Sequence, residues 1–381
     1  MKKISRSAVG LALSALLLGG CGAPPGGGVG AAAPTAPVVT EPTAGATAGA
    51  AEQPVDGFLP CILTGEGDFN DRSFNQTSFE GVQSAAHRFG LNDFPAVVSN
   101  SPADHIPNIQ SLIAQNCSLI TGIGFALASA TVDSANANPD IHYLLIDDSG
   151  EINGQAPPTN LKPILFNTAE ASFLAGYLAA GYSSREGGAN HVGTFGGANF
   201  PTVTIFMDGF RQGVEYYNQQ NGTNVQFTGW DGSDGSFTGG FAANQQAQSM
   251  AQGIIDQGVD VILPVGGPIY QSAVAAIQSS GRDVALIGVD MDLFYTDPST
   301  QPYILTSVLK NVAGAVDSSV SEAATGNFSP TPFIGDLAND GVGLAPFHNF
   351  EDKVPQELRD KIAQLQQDII AGRVHVDSYL N

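Results

Sequence analysis

From residue 56 onward, short apolar runs alternate with stretches of helical periodicity, and this alternation constrains the fold most. Runs such as VDVILPV (259–265) and VALIGVD (284–290) are almost wholly apolar, as expected of parallel strands covered on both faces. Strands are expected over 58–64, 96–99, 119–123, 142–146, 164–167, 192–195, 225–228, 259–265 and 285–289, with an extended stretch over 303–308. Helical patterns fill the gaps, and repeated strand–helix alternation marks doubly wound α/β structure. About ten strands suit two sheets better than one. A (β/α)₈ barrel is the second choice, because it leaves TPFIGDL and GVGLAPF, after Phe328, without a use.

The N-terminus predicts export. Lys2, Lys3 and Arg6 precede an apolar stretch from Ala8 to Leu18 that is too short for a stable membrane span, which needs about 20 residues. The segment ends Leu18-Gly19-Gly20-Cys21, similar to a bacterial lipobox, in which the cysteine is lipidated and becomes the new N-terminus. An ordinary secretory signal is the alternative. Several acyl chains anchor where one does not. Residues 22–55, rich in Gly, Ala, Pro and Thr, predict a flexible tether.

Cys61 and Cys117 each sit at the start of an expected strand, in a chain whose destination permits disulfides. A bridge is open to them if the two strands are parallel neighbours; two buried thiols are the alternative. No HExxH, HxxxH or CxxC spacing suggests a metal, and no GxxxxGK[ST] or GxSxG motif suggests an ATPase or a serine hydrolase. The 381 residues carry 36 acidic and 14 basic side chains, a formal charge of −22. So negative a chain with no Lys/Arg stripe repels phosphate backbones, which argues against nucleic-acid binding. Cleavage before Cys21 would remove three of the bases, leaving 11 against the same 36 acids.

In open α/β sheets ligands sit beyond the carboxyl ends of the strands. The residues there are glycines, carboxylates and aromatics: Gly65 to Asn75 after the first strand, Gly124-Phe125, Asp147-Asp148, Gly196-Gly197, Gly229-Trp230-Asp231, Gly266-Gly267 and Asp290-Met291-Asp292. Rings to stack on and carboxylates to accept from hydroxyls fit a small neutral polyol or heterocycle. Many of these residues also favour turns. Asp68 and Asp71 could instead form a hydrolytic carboxylate pair or, with Asp147, a calcium site. The blander reading is loop structure with Ser73 capping the following helix. The run 231–240, DGSDGSFTGG, is expected to be a flexible loop insertion.

The segment GDFNDRSFNQTSFEGVQSAAHRFG resembles the basic membrane protein family, the purine-nucleoside receptors among ABC-transporter substrate-binding lipoproteins. Further matches follow in the family's order: GIGFALASA with PDIHYLLIDD, EASFLAGYLAAG, HVGTFGG with FMDGFRQGVEYY, GVDVILPVGG, and IGVDMDLFY with ILTSVLKNV. The resemblance implies a type I periplasmic-binding fold, two lobes joined by three crossovers. The N-terminal lobe would span 56–168, completed by about 292–325. The C-terminal lobe would span 169–291, completed by about 326–381; residues 1–20 would be the signal peptide and 21–55 the lipidated cysteine and linker. It further implies a monomer, anchored to the membrane and facing the periplasm or exterior, that needs no cofactor and delivers a purine nucleoside to an ABC permease. Phe74 and Trp230 would stack on the base from opposite lobes. Asp290 would accept from the ribose, Lys310 would donate to it, and Gly266 would allow close backbone approach. Asp71, Asn75, Phe125 and Asp147 would line the first-lobe side. Ser129, where the family often has an acid, and Pro268 in the loop after 265 depart from the pattern. A nucleoside hydrolase using Asp68 and Asp71, or a receptor for a sugar or signalling molecule, are the competing readings.

Overall fold

The computed structural model describes residues 53–380; the expected signal peptide, Cys21 and most of the linker lie outside them. In chain order, β1 (Pro60–Thr64), α1 (Phe74–Arg88), β2 (Ala96–Val97), α2 (His105–Ala114), β3 (Leu119–Ile123), α3 (Ala128–Ala137), β4 (His142–Ile146) and β5 (Leu161–Phe166) come first. Then follow α4 (Thr168–Ser183), β6 (His191–Gly196), α5 (Pro201–Asn221), β7 (Gln226–Thr228), α6 (Gln245–Asp256), β8 (Val261–Val265), α7 (Ile269–Ser280) and β9 (Ala285–Asp290). The chain ends with α8 (Leu293–Thr296), β10 (Ile304–Lys310), α9 (Val312–Ala324), β11 (Phe333–Gly335), β12 (Val342–Leu344) and α10 (Gln356–Ile370).

The strands form two six-stranded sheets rather than a closed barrel. Their orders are β11-β5-β4-β3-β1-β2 and β12-β10-β9-β8-β6-β7. All neighbours run parallel except β10 and β12. The two orders correspond strand for strand, so β4 and β9, or β5 and β10, occupy equivalent places. Strands β1, β3, β5, β8 and β9 are buried at every position, matching their unbroken apolar character.

The chain passes between sheets three times. After β5 it enters α4, which packs on the second sheet; after β10 it enters α9, which packs on α1 of the first lobe. The third passage, 336–341, links β11 of the first sheet to β12 of the second. The expected completion of the lobes therefore differs in two strands. Ile304–Lys310 lies in the second sheet, not the first, and Phe333–Gly335 lies in the first, not the second. An apolar strand signals burial but not which sheet buries it.

The passages are tied to one another. The Asn167 N–H donates to Gly335 O at 2.7 Å and the Asn311 N–H to Gly341 O at 2.9 Å. Asn167 and Asn311 each immediately follow a strand and precede a helix, with nearly the same backbone angles, φ −79°, ψ 61° and φ −77°, ψ 58°. Glu170 on α4 also accepts from the Leu337 N–H at 2.9 Å.

Helix α4 is buried nearly all round, between α5, α10 and the second sheet. It meets α5 backbone to backbone. A methyl group at Gly176 would lie 2.0 Å from Phe210 O, and one at Gly213 the same distance from Phe173 O. Cys61 and Cys117 are joined by a disulfide, with Cα atoms 5.9 Å apart. β1 and β3 are parallel neighbours with Cys61 opposite Ile120, and Cys117, two residues before β3, reaches Cys61 from the turn that leads into that strand.

Candidate ligand-binding cleft

A cavity of about 490 Å³ lies where the carboxyl ends of the two sheets face each other, within the ~300–1,000 Å³ of small-molecule sites. Of the residues singled out from the sequence, Asp71, Phe74, Asn75, Phe125, Asp147, Gly266, Asp290 and Lys310 all line it. Trp230 does not. Its ring is buried at 7% exposure, its Nε1–H donates to Asp208 at 2.7 Å, and Phe237 packs edge-on against it.

The aromatic wall of the second lobe comes instead from Phe241, at the end of the 231–240 insertion, with Phe200 and Phe206 of α5 and its approach. The insertion is pinned to the sheet. Phe237 bridges to Gly196 and Gly235 to Trp230, and the Thr238 hydroxyl donates to Gly240 O at 2.6 Å. Phe241 then rests on Gly197 and Gly266. Gly266 has φ +137°, and a Cβ there would meet the Phe241 ring at 2.7 Å, so no other residue fits beneath this ring. Phe200 stacks on Phe125 of the first lobe, centroids 4.7 Å apart.

The polar residues sit at equivalent points of the two sheets. Asp147 directly follows β4 and Asp290 ends β9; both adopt left-handed backbone, φ +63° and +68°, a conformation that aspartate tolerates better than most residues. Lys310, last in β10, is buried and ion-paired with Asp147 across the lobes. Its ammonium lies 4.6 Å from the Phe74 ring centroid and 5.2 Å from that of Phe166, a cation–π environment. Burial pushes the Asp147 carboxyl above the usual range; Lys310 pulls against this, while Asp290 and Asp148 add to it.

Asp71 caps α1, accepting from the backbone N–H groups of Ser73, Asn75 and Gln76 at 2.9, 3.0 and 3.1 Å. Burial nevertheless raises its carboxyl, with those hydrogen bonds opposing. Ser73, expected to cap, makes no cap bond; its hydroxyl donates to Asp290 Oδ2 at 2.8 Å. The Asn75 amide holds Glu66 O at 2.9 Å, and a His105 ring nitrogen lies 2.8 Å from Gly65 O, so the start of the loop after β1 is fixed, in part to the first turn of α1. Asp68 lines the cavity but closes a local turn on the Asn70 N–H. Ser129 is exposed on α3, outside the cavity lining. No cluster of metal-ligating side chains occurs among the described residues.

Phe200, Phe206 and Phe241 are the lining rings not singled out from the sequence. Phe200 is four residues past the end of β6 and directly before the Pro201 that starts α5; Phe241 follows Gly239-Gly240 shortly before the Asn244 cap of α6. Each is an aromatic in the approach to a helix on the ligand side of a parallel sheet. That was the available signal.

Comparison with known proteins gives the same picture. Residues 60–378 match the family described as "ABC transporter substrate-binding protein PnrA-like". The chain is 28% identical over 333 residues to the "ABC transporter nucleoside-binding protein BmpA" of Lactococcus lactis subsp. cremoris, covering 83% of this chain and 88% of that one. It is also 28% identical over 315 residues to "Basic membrane protein D" of Borreliella burgdorferi, covering 82% and 85%. A crystal structure of an ABC transporter solute-binding protein from Aeropyrum pernix K1 superimposes with a TM-score of 0.74 at 23% identity, covering 85% of this chain and 94% of that one. Both lobes thus have the α/β architecture of periplasmic binding proteins, and the family match spans nearly all the described residues. The chain belongs to the PnrA-like family of ABC transporter substrate-binding proteins.

Proposed function

We propose that this receptor captures a purine nucleoside between its lobes and hands it to an ABC permease. The observation that carries the reading is the pairing of walls and floor in one cavity. Phe74 and Phe241 line it from opposite lobes, and the Asp290 and Lys310 side chains lie among its polar residues. Aromatic faces suit a flat heterocycle, and a carboxylate beside an ammonium suits vicinal hydroxyls, which both donate and accept. A neutral ligand needs no counter-charge, so the acidic protein presents no obstacle. The printed name of the Lactococcus lactis relative, a nucleoside-binding protein, supports the same ligand class.

The proposal extends to location. The Leu18-Gly19-Gly20-Cys21 sequence supports lipidation at Cys21 and attachment to the outer face of a membrane; the receptor is proposed to act as a monomer. No helix among the described residues is long and apolar enough to cross a membrane. Binding rather than catalysis is the role proposed for Asp68 and Asp71, because one closes a turn and the other caps a helix.

Mass spectrometry of small molecules released from the purified protein, with calorimetric titration of inosine and guanosine, tests the ligand. Recovery of a nucleoside and saturable binding are expected. Recovery of a sugar, or release of free base from inosine on incubation, would overturn the reading.

A further inference from the structure

Arg72 and Ser73 are consecutive residues of the first lobe, and both reach the same stretch of the second. Ser73 Oγ donates to Asp290 Oδ2 at 2.8 Å in a buried contact. The Arg72 guanidinium meets Asp297 Oδ2 at 3.2 Å, at the opposite end of the segment that carries α8. The Asp297 carboxylate is itself held, by the Tyr270 hydroxyl at 3.0 Å and the Ser299 hydroxyl at 2.7 Å. Asp71 takes over the capping of α1, which leaves the Ser73 hydroxyl available. Arg72 holds a left-handed backbone, φ +54°, uncommon for a residue with a long side chain. Neither Arg72, Ser73 nor Asp297 lines the cavity.

We propose that Arg72 and Ser73 form a two-point clasp on residues 290–297 that sets how long the lobes stay closed, and that Ser73 is a positioning residue for Asp290. The Ser73 hydroxyl occupies one oxygen of Asp290 only when the lobes meet, so closure fixes which oxygen faces the cavity. A carboxylate oriented from the opposite lobe grips a ligand hydroxyl only in the closed state. The clasp therefore acts on release more than on capture. The part that concerns ligand release rests on the nucleoside reading; the part that concerns lobe closure does not.

The test uses the purified protein with Arg72→Ala, Ser73→Ala, Ser73→Thr and, as control, Arg88→Ala. Arg88 pairs with Asp317 on α9, inside the first lobe. Chase of labelled inosine is expected to show release about tenfold faster in S73A, the order of one hydrogen bond to a charged group, and about two- to fivefold faster in R72A, the range for an ion pair with a half-exposed partner. Association should change less than about twofold; S73T should restore slow release and R88A should leave it unchanged. Nitroxides placed by Gln110→Cys on α2 and Ser249→Cys on α6 then report the distance between lobes without any nucleoside. A shift to longer distances in R72A and S73A is expected. If wild-type protein binds no inosine, the ligand reading fails, and the clasp is judged by these distances alone. Unchanged distances overturn the clasp, whatever inosine does; wild-type release rates in both variants overturn its role in retention.

Discussion

Lys310 of the second sheet and Asp147 of the first form a buried ion pair that spans the cleft. Removing one partner leaves the other charged and desolvated, which costs far more than the pair contributes. Lys310→Met should therefore destabilise the protein by about 3–5 kcal/mol in urea unfolding. The double variant Lys310→Met, Asp147→Asn should recover most of that loss, because no lone charge then remains buried.

The aromatic walls make a second prediction, which separates two rings. Phe74→Ala and Phe241→Ala should each weaken inosine binding about 10- to 100-fold, the range for loss of one base-stacking ring. Trp230→Phe should change affinity less than about twofold, since its indole is occupied by Asp208 and Phe237. Calorimetry of the three variants decides this. A Trp230 loss equal to that of Phe241 would return Trp230 to the binding wall.

The disulfide closes a loop between residues 56 apart in sequence. Cross-links of this kind stabilise mainly by restricting the unfolded chain, typically by about 2–4 kcal/mol. Cys61→Ala with Cys117→Ala should lower the unfolding free energy by that amount while leaving inosine affinity unchanged, because neither residue lines the cavity. Denaturation with and without reductant measures the first effect and titration the second.

Burial holds the His142 imidazole below its ordinary value of 6.5, and the ring stacks on Phe328 with centroids 4.1 Å apart. Its pKa is thus lower in the folded chain than in the unfolded one. As pH falls through 6.5 the unfolded chain binds the proton first, so stability is lost between 6.5 and the lowered folded value. His191 is lowered for the same leading reason. The buried Asp71 and Asp147, both raised, act with the opposite sign, but only in the window above the ordinary aspartate value of 3.8. The thermal midpoint should decline as pH passes down through 6.5, and His142→Gln should flatten that slope.

Much of this architecture is legible in the sequence because parallel strands buried on both faces are written as unbroken apolar runs. VILPV and ALIGVD became β8 and β9 for that reason. The strand ends also located most of the cavity, since a parallel sheet turns all its carboxyl ends one way. What the sequence could not express is partnership over distance. Asp71 and Ser73 are both good caps, and only the approach of Asp290 from the other lobe draws Ser73 away. Trp230 and Phe241 flank one insertion, and the path of that insertion, pinned at Gly196, decides which ring enters the cleft. Strand β10 reads as apolar whichever sheet receives it.

The third crossover has a mechanical meaning. Its two ends, Gly335 and Gly341, approach so closely that a methyl group on Gly341 would lie 2.2 Å from the Gly335 Cα. Each of these glycines also accepts from one of the other two crossovers, through Asn167 and Asn311. All three passages are thus gathered into one slender joint. Sliding one lobe past the other would tear these hydrogen bonds, whereas swivelling about the joint can leave them intact. The joint thus favours rotation of one lobe against the other over translation, and the strand pairing inside each half plays no part in that choice.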